Sequence, residues 1–139
     1  MNPRRVLAAV LAGSVISWVV LTGAFGVLRT LWPEYASAEP DKAYTLSMLL
    51  VRLLVFSTMI MLTSGIPTVI ARDIRLSWLA AGLILARSIP PHLYPGYVWD
   101  DYPVWYHLVY LSSIVPLALG AGWMARVWTR QGTPPVRAA

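Results

Sequence analysis

Val6 to Leu28 is a run of 23 residues without a charge, bounded by Arg4 and Arg5 before it and Arg29 after it. A helix of that length covers roughly 34 Å, enough for a hydrocarbon core of about 30 Å. A second apolar stretch runs from 44 to 71, with Gly65 and Pro67 expected to bend it near its end. The third, 74–89, is short at about 24 Å, and Pro90-Pro91 is expected to break it. The fourth runs from 104 to 128 with Pro116 and Gly120 inside it. Only a few residues join the second and third stretches, which predicts a tight antiparallel hairpin. No repeat is visible, and the halves lack the paired interrupted helices of inverted-repeat transporters. The pattern predicts an all-α chain with one membrane domain over 1–139. Its four antiparallel transmembrane helices are expected at 6–28, 44–71, 74–89 and 104–128. A proline-rich outer cap over 88–103 and a disordered tail over 131–139 complete the expected layout.

Composition agrees with that pattern. Apolar types make up 58% of the 139 residues and charged types only 12%, about half the charge of an ordinary soluble domain. This excludes a soluble enzyme and a disordered chain. The absence of cysteine excludes disulfides, thiolate metal sites and thiol nucleophiles. The net charge of +5 does not point to nucleic acid, because the basic residues flank apolar runs and form no patch. Residues 1–5, 72–75 and 126–139 hold seven Arg and one acid, Asp73; residues 29–43 and 87–103 hold three basic residues and five acids. The positive-inside rule then puts both termini in the cytoplasm and both long loops outside, as for a multi-pass protein of the bacterial inner membrane. A cleaved signal peptide is the rival reading of the first run, with Ala36-Ser37-Ala38 as its small-residue site. The run is longer than the about 7–15 residues of a signal core, which favours a retained span.

Candidate chemistry gathers on the outer side. Tyr35, Tyr44, Tyr94, Tyr97, Tyr102, Tyr106 and Tyr110 all fall in that half, with His92, His107, Trp32, Trp99 and Trp105. An interfacial aromatic belt accounts for Trp on both sides but not for tyrosine on one, so a binding surface stands beside the belt as a second reading. Arg52 is expected to reach the outer boundary and extend its head to water. Arg87 lies about 18 Å along a helix from Arg75, short of the outer boundary. A charge at that depth needs a partner, and Asp100 and Asp101 are the acids expected to return to it; a ligand is the alternative. His92, Asp100, Asp101 and His107 have metal-binding side chains but match no metal spacing, and no histidine lies mid-span as a bundle haem requires. His107 is expected at the mouth of its span as an interfacial hydrogen-bonding residue. The serines sit in spans without a base, and no acid lies inside the membrane for a proton relay. Ala9, Gly13 and Ser17 recur every four residues, which lets a neighbouring backbone approach.

The segment from Tyr102-Pro103-Val104-Trp105-Tyr106-His107 through Pro116 to Leu119-Gly120 and Arg126 resembles the closing helix of uncharacterised small four-span bacterial membrane proteins. That resemblance covers about 25 residues and implies an architecture but no substrate, cofactor or catalytic residue. The leading expectation is a non-enzymatic protein without a cofactor, binding a lipid-like ligand or a partner subunit through its outer cap. Arg87, His92, Asp100, Asp101, Tyr106 and His107 are its candidate ligand-binding residues, and membrane lipids, a partner membrane subunit or a second copy its candidate partners. Two alternatives remain open: a small transporter or permease subunit with an outward-facing cavity at Arg87, and an intramembrane metal or redox protein using His92 and His107.

Overall fold

The computed structural model describes residues 3–96 and 98–131. Tyr97 and residues 132–139, which include most of the expected tail, lie outside them. The chain is all-α: α1 (Pro3–Leu31), α2 (Pro33–Ala38), α3 (Leu46–Ala71), α4 (Arg75–Leu93), a 3₁₀ turn at Trp99–Asp101, and α5 (Val104–Gln131). Three helices are long and apolar enough to cross a membrane: Pro3–Leu31, Leu46–Ala71 and Val104–Thr129. Helix α4 is the least apolar of the four long helices and does not reach that standard.

Local chemistry sets the boundaries. Thr45 caps α3 by accepting the amide hydrogen of Met48 at 3.4 Å, which satisfies one of the free donors of the first turn. Arg72 ends α3 in the left-handed region at φ 55°. The Asp73 carboxylate then accepts from the Arg75 amide at 2.9 Å and starts α4. Pro90-Pro91 does not break α4 where the sequence suggested, and the helix continues to Leu93. Proline's fixed φ is helical, so the pair is tolerated within the last turns, and the helix ends where Tyr94, placed before Pro95, turns extended at φ −101° and ψ 128°. The short α2 is an element the hydropathy pattern does not show. Pro33 in its first turn and Glu34 beside it are its local signals.

Helix α3 is the hub, with α1, α4 and α5 packed around it, while α4 also packs along α5. The residue pairs fix the directions. Phe25 meets Phe56 and Arg5 donates to the Ile70 carbonyl, so α1 and α3 are antiparallel. Ser88 meets Tyr110 and His92 meets His107, so α4 and α5 are antiparallel. The core of Ile60, Ala81, Tyr110, Ile114 and Ala118 comes from α3, α4 and α5. Helix α1 joins through its small-residue stripe: Ala9, Gly13 and Ser17 are its buried residues, and a side chain at Gly13 would stand 2.7 Å from the Pro67 ring. Gly122 of α5 is filled against in the same way by Ser77 of α4.

The outward faces are apolar. Leu7, Leu11, Trp18, Leu54, Leu83 and Leu108 are each more than half exposed, the reverse of a protein that hides such residues from water. Together with the three apolar helices this places the chain with membrane proteins. One end of the helices carries Arg72, Arg75 and Arg126; the other carries Tyr35, Tyr44, Tyr102 and Tyr106 with His92 and His107.

Candidate functional site

The aromatic end is organised around Arg52, the single charge between Leu46 and Ala71 of α3. The side chain does not extend into water as expected, being only 12% exposed. The segment between α1 and α3 folds back over it, and the approach to α5 closes it from the other side. Nη1 donates to the hydroxyls of Tyr35 at 2.6 Å and Tyr44 at 3.1 Å. Nη2 donates to the hydroxyl of Tyr102 at 2.9 Å. The guanidinium carbon also lies 4.7 Å from the Tyr44 ring centroid, 5.0 Å from that of Phe25 and 5.4 Å from that of Tyr102. Cation–π attraction and charge-assisted hydrogen bonds therefore replace the water this charge would otherwise hold.

The charge balance is incomplete. The nearest carboxylate, Glu39, is 3.9 Å from Arg52 Nη1 and is already gripped by Arg29 through two bonds of 2.5 and 2.9 Å. Two guanidinium groups thus share one carboxylate, leaving one positive charge over. Arg52 Nε is buried and has no hydrogen-bond partner. The Arg29 hydrogen bond holds the Glu39 carboxyl below the usual carboxylate range, against the opposing effect of burial. Burial pushes the phenols of Tyr35 and Tyr102 upward, with Arg52 opposing it. These phenols stay protonated, so each one that accepts from Arg52 keeps an O–H of its own to donate.

Beside Arg52 lies a cavity of about 180 Å³, lined by Arg52, Phe56, His92, Val98, Tyr102, Tyr106 and Tyr110. His92 of that lining is joined to His107, Nδ1 to Nδ1, at 2.9 Å. His107, in the first turn of α5, is wholly buried. Its Nε2 lies 3.2 Å from the Trp99 carbonyl and 3.1 Å from that of Tyr102. Carbonyls only accept, so Nε2 carries hydrogen, Nδ1 is the acceptor, and His92 Nδ1 donates to it. Trp99 stacks on His107 at 4.8 Å and Tyr110 on His92 at 4.7 Å.

Of the residues named from sequence, His92, His107 and Tyr106 come together here. Arg87 does not; it lies along α4 on the side toward α1. The expected pairing of Arg87 with Asp100 or Asp101 is not formed. Asp100 instead accepts from the Gly96 amide at 2.9 Å, and Asp101 closes the 3₁₀ turn. Gly96 has φ 83°, and its amide holds the Asp100 carboxylate locally. Among the described residues no three His, Cys, Asp or Glu side chains gather as a metal site would require. Sequence reasoning missed Tyr35, Tyr44 and Tyr102 as ligands of Arg52, although the one-sided tyrosine distribution was their signal. No family model, no curated protein and no solved structure matches the chain.

Proposed function

We propose that this is a four-pass protein of the bacterial inner membrane, both termini cytoplasmic, that binds the polar head of a lipid-like ligand at its outer, aromatic end. The fourth crossing is argued from α4. It leaves the Arg72–Ile74 turn beside the end of α3 and meets the first turn of α5 through His92 and His107. If α3 and α5 lie in a membrane, that course supports a fourth crossing by α4 despite its lower hydropathy. The distribution of arginine puts the Arg72 end in the cytoplasm.

The observation that carries the binding reading is the buried, incompletely compensated Arg52 beside its cavity. A cation with an unused Nε, ringed by phenols with O–H groups to give, suits an acceptor-rich head such as a carboxylate or a carbonyl. The cavity has room for a small head and not for a protein segment. The work done there is binding, by charge, directed hydrogen bonds and ring contact.

Native mass spectrometry after mild detergent extraction tests it. The wild-type protein is expected to retain an acidic or carbonyl-bearing amphiphile that R52Q loses. Val98→Trp, which fills the cavity and leaves Arg52 in place, is expected to lose it too. Wild-type protein that retains no such molecule, or a Val98→Trp protein that retains it unchanged, would overturn the reading.

A further inference from the structure

A second site lies away from Arg52, in the groove between α1 and α4. Helix α1 is fastened to α3 at Gly13 and Ser17, the latter accepting from Thr63 at 2.8 Å. Helix α4 is fastened to α5 at Ser77, Ser88 and His92. The line between α1 and α4 is left unfilled, floored by Thr63 of α3. It contains two cavities of about 250 and 330 Å³ that share Ser14, Thr63, Ile84 and Arg87. The part toward the cytoplasmic end is apolar, with Val10, Leu76, Leu79 and Leu83. Around Arg87 the lining adds the hydroxyl residues Ser17, Ser88 and Tyr110.

Arg87 has no acid beside it, and none can be supplied by a second copy. The six acids of the chain are Glu34, Glu39, Asp41, Asp73, Asp100 and Asp101, and none lies on α1, α3, α4 or α5. A copy docked here would bring no counter-charge to this depth. A guanidinium in an oily groove calls for an anion that arrives with its own apolar part. From these placements we infer that the groove binds one anionic phospholipid, its phosphate at Arg87 and one acyl chain along Val10, Leu76 and Leu83.

The depth fits. Helix α4 from Leu76 to its end at Leu93 covers about 27 Å, less than a core of about 30 Å, and Arg87 lies about 9 Å short of that end. The bilayer beside α4 therefore thins, and head groups descend toward Arg87. The guanidinium fork matches a phosphate. About 16 Å of groove between Arg87 and Leu76 takes the chain.

The inference rests on the membrane placement proposed above and not on the Arg52 site. The test uses full-length protein in vesicles of phosphatidylglycerol and phosphatidylcholine in equal parts, with retained lipid read by native mass spectrometry. Wild-type protein is expected to retain phosphatidylglycerol over phosphatidylcholine by about tenfold, a difference of about 1.4 kcal/mol. R87Q is expected to lose that preference at an unchanged melting temperature. Ala80→Trp, which fills the groove without touching charge, is expected to lose both lipids. Equal retention in wild type and R87Q, or full retention in Ala80→Trp, overturns the inference, as does a polypeptide held in place of lipid. Failure of the wild type to insert overturns the membrane placement itself; insertion without lipid preference overturns the groove alone.

Discussion

Arg52 and Tyr102 are fifty residues apart in the chain and 2.9 Å apart at Nη2 and the phenol oxygen. That bond ties the second turn of α3 to the approach of α5, while Tyr35 and Tyr44 tie the same side chain to the segment after α1. One guanidinium therefore holds three parts of the aromatic end. Tyr102→Phe keeps the ring, and its stacking on Tyr106 at 4.7 Å, but removes the acceptor. It is expected to cost about 2 kcal/mol, the range of a hydrogen bond to a charged group. Tyr94→Phe, at an exposed position, is expected to change nothing. Thermal unfolding in detergent, followed by tryptophan fluorescence, compares the two; equal melting temperatures would remove Arg52 from its bracing role.

The contact of α1 with α3 depends on the absence of a side chain at Gly13. Gly13→Val is expected to destabilise by about 1–3 kcal/mol, because the Pro67 ring belongs to a rigid helix backbone and cannot swing aside. Gly26 has open space where a side chain would stand. Gly26→Ala is expected to be neutral or to stabilise by up to about 1 kcal/mol through helix propensity. Melting temperatures of the pair decide it, and a Gly13→Val protein as stable as wild type would contradict the close approach.

Glu39 gives the aromatic end a pH dependence of known sign. Its carboxyl is held below its unfolded value by Arg29, so the stabilisation is fully present above the ordinary glutamate range of about 4.3. It is lost as pH falls below that value and through the depressed folded one. Stability measured from pH 7 to pH 3 is expected to fall at the acid end, and E39Q is expected to flatten that part of the curve. Arg29 is half exposed, so salt should also weaken the effect. An E39Q protein with an unchanged acid limb would place the titrating group elsewhere.

The long helices were legible because apolar runs bounded by arginine carry a strong signal, and the Ala9, Gly13 and Ser17 spacing announced which face of α1 is buried. The site was legible only in part. Counting along α3 put Arg52 at the membrane boundary, where snorkelling follows from the one-dimensional position alone. Its burial depends on Tyr35 and Tyr102, brought in by a short helix and by a turn of positive φ at Gly96, and neither leaves a hydropathy trace. Asp100 was the natural partner for Arg87 by proximity in sequence. A bond to the nearby Gly96 amide takes the carboxylate instead, because a local partner costs less chain entropy than a distant one.

The buried histidine pair fixes its own tautomers, which nuclear magnetic resonance can read. Nitrogen-15 spectra are expected to show His107 with hydrogen on Nε2 and a bare Nδ1, and His92 with hydrogen on Nδ1. His107→Phe keeps a ring against Trp99 but leaves two carbonyls and the His92 N–H without their partner, at a cost of about 1–3 kcal/mol. His107→Leu should cost at least as much, since it loses the stacking as well. Hydrogen found on His107 Nδ1 would reverse the donor in the pair and require another donor for the Trp99 and Tyr102 carbonyls.

The number of crossings separates two topologies that share the same three apolar helices. If only α1, α3 and α5 cross, the chain ends lie on opposite faces; if α4 crosses as well, they lie on the same face. The turn at Arg72–Ile74 and the His92–His107 contact fix α4 alongside α5, and its exposed Trp78, Leu79 and Leu83 are the residues it would show to lipid. Reporter fusions after Met1 and after Ala139 are therefore both expected to read cytoplasmic, and a reporter inserted at Asp41 to read external. A reporter at Gly96 distinguishes the cases further: it is external only when α4 reaches across. Opposite signals from the two termini would contradict the shared direction of α3 and α5 and overturn the four-pass placement, and with it the thinned bilayer on which the depth of Arg87 was argued.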